Sequence, residues 1–174
     1  MYDESYLPLP DKDYKGRLII GQSPSVKRIK STKILNKVVY GLQQSGYDIE
    51  LDVIEKTRHR ECLARKKYHH IEFDNMHQGH LGMAGFEAAS MGIVTMGWMK
   101  PEVEEAYTKL GEGSDLPFIN VGNEEELRDE FIRFIEDRDL LIERSQYTRL
   151  WMERYYNEKK LLALYVELYE GLLE

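Results

Sequence analysis

Lys27, Arg28 and Lys30, within SPSVKRIKST, put three cations in one short loop, and Gly79 and Gly82, within HQGHLGMAG, punctuate another. Glycine takes backbone angles closed to other residues and lets a ligand approach the main chain. A helix starting just after it points unpaired N–H groups and the positive end of its dipole at the same spot. Cations and bare amides together suit a diphosphate. Glu87 lies about one helical turn beyond, where a carboxylate accepts hydrogen bonds from ribose or sugar hydroxyls. Each feature also has a plainer reading, because glycines between strand and helix serve tight turns in any α/β domain and lysines at a helix start are commonly solvated. The glycine loop is not a Walker loop, since no Gly-Lys-Ser/Thr follows, and its spacing does not fit a dinucleotide fingerprint.

Other chemistries find less support. His69, His70, His77 and His80 fall within a dozen residues, but His69 and His70 flank a strand start and face opposite sides, and no HExxH pattern or cysteine partner accompanies them. No metal site is expected. No Asp-x-Asp triplet is present, which weakens a divalent-ion requirement, and no Gly-x-Ser-x-Gly elbow supports a hydrolase.

The elements that must position these residues alternate between strand and helix. Residues 1–15 are polar and carry Pro8 and Pro10, so they read as an extended, linker-like lead-in. RLIIGQ predicts a strand ending just before the cationic loop. A helix beginning near Ser31 or Thr32 follows, with Ile34, Leu35, Val38, Val39 and Leu42 on one face and Gly46 past its last turn. DIELDVI alternates as a strand, residues 58–67 read as a strongly charged helix, and residues 69–97 form a strand, loop, helix, strand unit carrying Glu87. A helix over 102–110, a last strand in LPFINV and a helix launched by the Asn123/Glu126 capping box complete the pattern. This predicts an α/β, Rossmann-like parallel sheet with helices on both faces over residues 16–138. Residues 139–174 read as C-terminal helices. Their large side chains, Trp151, Tyr155, Tyr156, Leu161, Leu162, Tyr165 and Leu168, are expected to form a core stripe or, where exposed, a docking surface. Ligands in such sheets bind beyond the carboxyl ends of the strands, where both loops should emerge.

At 174 residues the chain is long enough to bury a full core, and a charge of −7 argues against broad nucleic-acid binding. Cys62 stands alone, so no intramolecular disulfide forms and a reducing compartment is expected. No apolar run approaches the roughly 20 residues of a membrane span. The expectation is a cytoplasmic protein, open to membrane association through a partner.

The order PSVKRIKSTKIL, helix, strand, then GHLGMAGFEAASMGIVTMG resembles the C-terminal, donor-binding domain of retaining glycosyltransferases of the GT-B fold, the family-4-like or group 1 type. The resemblance runs from about Arg17 to the C-terminus. Pro24, Ser25, Lys30, Ser31 and Thr32 match one family phrase, and Glu87, Ala88, Ala89, Ser90, Met91 and Gly92 match another, with a methionine changed to alanine at Ala89. It implies a single GT-B half-domain with a C-terminal helical tail that binds a nucleoside diphosphate sugar, UDP or GDP linked. Lys30 and the amides after Gly82, at Met83 and Ala84, would hold the diphosphate, with Ser25 and Lys27 in the same loop, and Glu87 the ribose. Gly79 and His80 would lie near the donor sugar, where His77 or His80 donates a hydrogen bond. No cofactor is implied. Two departures stand out: Gly79 takes the place of a glutamate directed at the sugar, and Ser25 that of an arginine, with Lys27 and Arg28 near enough to supply charge. Since this family reacts in a cleft between two domains, the resemblance implies a half lacking the N-terminal acceptor domain and inactive without it. A non-catalytic module, as a split subunit or degenerate relative, is the alternative.

Overall fold

The computed structural model describes residues 4–172; the first three residues of the expected lead-in and the last two of the helical tail lie outside the described residues. Five strands, β1 (Leu18–Gln22), β2 (Ile49–Val53), β3 (Ile71–Phe73), β4 (Val94–Gly97) and β5 (Phe118–Asn120), form one sheet in the order β2-β1-β3-β4-β5. All neighbours run parallel, with Ile20 beside Leu51 on one flank and Ile71 on the other. The intervening helices are α1 (Thr32–Gln44), α2 (His59–Lys66), α3 (Met83–Ser90), α4 (Pro101–Leu110) and α5 (Glu124–Glu136), followed by α6 (Arg138–Tyr155) and α7 (Glu158–Gly171). This is the predicted α/β fold. The strand order reverses direction between β1 and β3, which opens a crevice at their carboxyl ends.

The two faces of the sheet differ in chemistry. Leu18, Ile20, Ile71, Phe73, Val94 and Met96 point one way and pack against Leu35, Val38, Val39 and Leu42 of α1 and Leu127, Phe131 and Phe134 of α5. Each such side chain contributes roughly 1.5–3 kcal/mol on burial, and this apolar layer is the main adhesive of the fold. Strand alternation turns Gly21, Glu72 and Thr95 to the opposite face. There Leu63 of α2 packs with Ala88 of α3 and with Met91 and Ile93 just beyond it, around a set of buried charges.

Local signals account for the element ends. Gly46 follows α1 with φ +91°, the left-handed geometry a helix terminus asks of glycine. Asn123 accepts the Glu126 N–H at 2.9 Å, while the Glu126 carboxylate accepts the Gly122 N–H at 2.6 Å, one residue earlier than a standard capping box places it. Ser31 precedes α1 at φ 57° and caps nothing in it; its hydroxyl accepts the Met76 N–H at 3.2 Å, joining the first loop to the third strand's loop.

Residues 4–15, read from composition as an extended segment, are tied down. Lys67 donates to the Glu4 carbonyl (2.9 Å), Lys12 to the His69 carbonyl (2.8 Å), and the Tyr14 hydroxyl meets Ser145 at 2.8 Å. Tyr6 and Tyr14 also pack on core clusters, apolar anchors that a polar, proline-bearing stretch conceals. At the other end the large side chains divide. Trp151, Met152 and Tyr155 of α6 are buried with Phe86, Met99 and Phe118, whereas α7 buries nothing and leaves Leu162, Tyr165, Leu168 and Tyr169 exposed. Among the described residues no helix is long and apolar enough to cross a membrane.

Candidate functional site

The loops leaving β1 and β3 meet at the switch point. Gln22, the last residue of β1, is 1% exposed and holds the first loop from inside: its side-chain amide donates to the Lys30 carbonyl (2.7 Å) and its carbonyl oxygen accepts the Thr32 hydroxyl (2.7 Å). The turn from Val26 to Lys30, closed by the Lys30 N–H on the Val26 carbonyl (3.0 Å), brings Lys30 round to face β3. Lys30 is 7% exposed, and its ammonium donates to Asp74 Oδ1 at 2.8 Å. The other oxygen of Asp74 accepts the Gly82 N–H at 2.7 Å and the Asn75 side-chain amide at 2.6 Å. A Cβ on Gly82 would stand 2.5 Å from the Lys30 nitrogen. Gly82 is therefore glycine because Lys30 lies against it; its φ of −88° is open to any residue. Gly79, with φ +75°, does use glycine's freedom, and the Lys100 stem also lies across it.

Gly82 opens α3. Among the described residues the amides of Met83 and Ala84, the first two of the helix, donate to no group within the chain. Glu87, a turn further on, is partly buried and already has partners: Lys66 at 3.0 Å and His59 at 2.7 Å. Lys66 also donates to the Ala84 carbonyl at 3.0 Å. Thus one lysine reaches the first turn of α3 at Gly82 and a second reaches it at Ala84.

Lys66 belongs to a chain of charges running under the helices. It lies 3.8 Å from Glu72, whose carboxylate also binds the Ser23 hydroxyl (2.7 Å) and His69 Nδ1 (2.7 Å); the other ring nitrogen of His69 lies 3.0 Å from Asp52, which Arg65 clamps from outside. Lys66, His69 and Glu72 are fully buried. Burial lowers the Lys66 pKa, but Glu72 and Glu87 outweigh it and hold the ammonium above its ordinary value. Burial likewise acts against the imidazolium of His69, yet hydrogen bonds to Asp52 and Glu72 carry its pKa above the usual histidine value. Glu72 is pushed up by burial and pulled further down by Lys66 and His69, so it stays ionised. An unpaired charge in such a place costs several kcal/mol, which is why the members occur together.

The remaining predicted residues are less committed. Ser25 is exposed, Lys27 is exposed and paired with Glu55 at 2.6 Å, and His77 and His80 are exposed on the second loop. His69 and His70 do face different surroundings: His70 Nδ1 accepts the Ile19 N–H and its Nε2 meets the Asp13 carbonyl, and burial pushes its pKa down to about 4. Sequence reasoning missed Asp74, Lys66, Glu72, Asp52 and His59. Only the dense charge of residues 58–67 hinted at a partner set; nothing in a single sequence pairs Lys66 with Glu87, 21 positions away.

No family model matches the chain, and no curated protein matches it in sequence. Solved structures do. The C-terminal domain of LpcC, a glycosyl transferase group 1 family protein from Francisella tularensis, superposes with a TM-score of 0.63 at 12% identity, over 89% of this chain and 97% of that one. TarM from S. aureus, solved as a variant with fondaparinux, alpha-GlcNAc-glycerol and UDP, gives 0.73 at 11% identity over 96% of this chain and 38% of its own. The structure of accessory secretory protein 1, 2 and 3 from Streptococcus pneumoniae gives 0.63 at 10%, over 95% and 37%. The chain spans nearly all of the LpcC domain and well under half of the other two chains. In fold, this chain is an α/β, Rossmann-like parallel-sheet domain similar to the C-terminal domain of LpcC, the GT-B half-domain architecture.

Proposed function

We propose that the chain binds a nucleoside diphosphate sugar, UDP or GDP linked, at the rim between the β1–α1 and β3–α3 loops. On this reading it is the donor half of a retaining glycosyltransferase in the cytoplasm, with the acceptor side supplied by another domain or subunit. One observation carries the reading: at the switch point of a parallel sheet, a buried lysine lies against the glycine that opens α3, beside two unpaired amides. Lys30, Met83 and Ala84 would take the diphosphate and Glu87 the ribose hydroxyls, since each of its two oxygens keeps a lone pair beyond the one used by Lys66 or His59. Lys27, exposed in the same loop, would join Lys30 at the phosphates. Breakage of the anomeric bond needs stabilisation of charge on the leaving diphosphate, which preorganised cations and amides supply.

The alternative, a module that binds a nucleotide sugar or a partner without turnover, is favoured by two features. Lys30 and Glu87 already have counterions, and Gly79 places no carboxylate near the sugar. Calorimetric titration with UDP, GDP and their sugar conjugates tests both readings. Binding that weakens at least tenfold in Lys30→Ala and in Glu87→Ala is the expected result; no binding at millimolar concentration, or binding indifferent to both substitutions, removes the donor site. Transfer by this chain alone would overturn the half-enzyme reading, whereas transfer only after an acceptor domain is added would remove the non-catalytic alternative.

A further inference from the structure

Asp74 occupies an odd place for a carboxylate. It stands one residue past β3, 2% exposed, and three donors converge on it: the Lys30 ammonium at 2.8 Å, the Gly82 N–H at 2.7 Å and the Asn75 side-chain amide at 2.6 Å. A cation and a main-chain amide at the start of a helix are the donors a phosphate seeks, so the carboxylate stands where a phosphate's oxygens would. Lys30 and Asp74 together carry no net charge. As the site stands, α3 offers an entering anion only the Met83 and Ala84 amides, with the stronger donors already taken.

We propose that Asp74 is an internal anion in the place of the ligand's phosphate, that a diphosphate binds by displacing it from Lys30 and Gly82, and that Asp74 thereby sets the affinity of the site. The inference rests on the donor-site reading for the ligand's identity, and on the geometry alone for the competition. Once the carboxylate turns away, the Lys30 ammonium and the Gly82, Met83 and Ala84 amides form one cradle with a net positive charge. The Asn75 side chain keeps its second bond, to the His80 carbonyl at 2.9 Å, so the loop does not depend on Asp74 alone.

Asp74→Asn keeps the shape and an oxygen for the Gly82 N–H while removing the competing charge. Titrating wild type, Asp74→Asn and the double variant Lys30→Ala/Asp74→Asn with inorganic pyrophosphate, UDP and GDP separates the possibilities. Binding at least tenfold tighter in Asp74→Asn, with the gain abolished in the double variant, is the expected result. Unchanged or weaker binding by a folded Asp74→Asn, or a gain that survives without Lys30, overturns the inference. Should Asp74→Asn not fold, the carboxyl carbon of Asp74 and the amide of Gly82 are followed by NMR in wild type as pyrophosphate is added to saturation. Both resonances must move together, and a stationary Asp74 overturns the inference. Tighter pyrophosphate binding without any binding of UDP or GDP would keep Asp74's role and remove the nucleotide reading; nucleotide binding that needs Lys30 and Glu87 but ignores Asp74 would do the reverse.

Discussion

Gly82 and Gly21 both lack a side chain because another residue fills the space, yet the consequences of adding a methyl group differ. At Gly82 the new carbon would meet the far end of a flexible lysine at 2.5 Å, and Lys30 can retreat. Gly82→Ala is expected to change unfolding free energy by less than about 1 kcal/mol while weakening UDP or GDP binding roughly tenfold, about 1.4 kcal/mol, because the ammonium leaves the rim. At Gly21 the new carbon would sit 1.7 Å from the His69 ring, which is fully buried and held at both nitrogens. A rigid ring has nowhere to go, so Gly21→Ala should cost about 3 kcal/mol or more in urea denaturation. Equal losses in the two variants would contradict this account of the packing.

At the scale of elements, hydrophobic periodicity was a sound guide wherever one side of an element meets an apolar layer. Of the predicted α1 stripe, Leu35, Val38, Val39 and Leu42 are buried and Ile34 is half-buried at its edge; of the stripe that spacing predicts for α5, Leu127, Phe131 and Phe134 are buried and Ile135 is half-buried. The rim was legible for the same reason that turns are: Gly79 and Gly82 announce a loop, and alternation of strand with helix in a parallel sheet puts both loops at one edge. What composition could not show was pairing between distant charges, so Lys66 passed as one charge among many in residues 58–67, and Glu72 and Asp74 went unnoticed. Nor could it tell α6 from α7, since both are rich in large apolar side chains; only packing reveals that Trp151 and Tyr155 are inside and Tyr165 outside. Because α7 buries nothing and its ion pair between Lys160 and Glu112 is largely exposed, truncation after Asn157 should lower unfolding free energy by no more than about 1 kcal/mol. A larger loss on denaturation of the truncated chain would mean that α7 braces the body.

Across the whole molecule, the division into an apolar face and a charged face has a consequence in pH. His70 is buried with its pKa pushed down to about 4, against an ordinary 6.5, so the unfolded chain takes up a proton between those values and the native chain does not. Stability contributed by neutral His70 is therefore lost as pH falls from 6.5 towards 4, by about 2 kcal/mol after allowance for partial solvent access to the ring. His69 works the other way. Its folded pKa is raised above 6.5, so its contribution is fully present below 6.5 and is lost as pH rises through the folded value. Asp52 and Glu72, whose folded pKa values lie below their ordinary ones, lose their contribution only in stronger acid, from about their unfolded values of 3.8 and 4.5 downward. Lys12, brought down to about 8 by burial, adds stability only as pH climbs beyond that. The two histidines thus set opposite limbs of one curve, with a maximum near pH 6.5. Urea denaturation at pH 5, 6.5 and 8 should show His70→Gln flattening the acid limb alone and His69→Gln flattening the alkaline limb alone, each judged by slope because both substitutions also lower the curve. A single substitution that flattened both limbs would mean that the two rings share one titration, against their separate hydrogen bonds to Asp13 on one side and to Asp52 and Glu72 on the other.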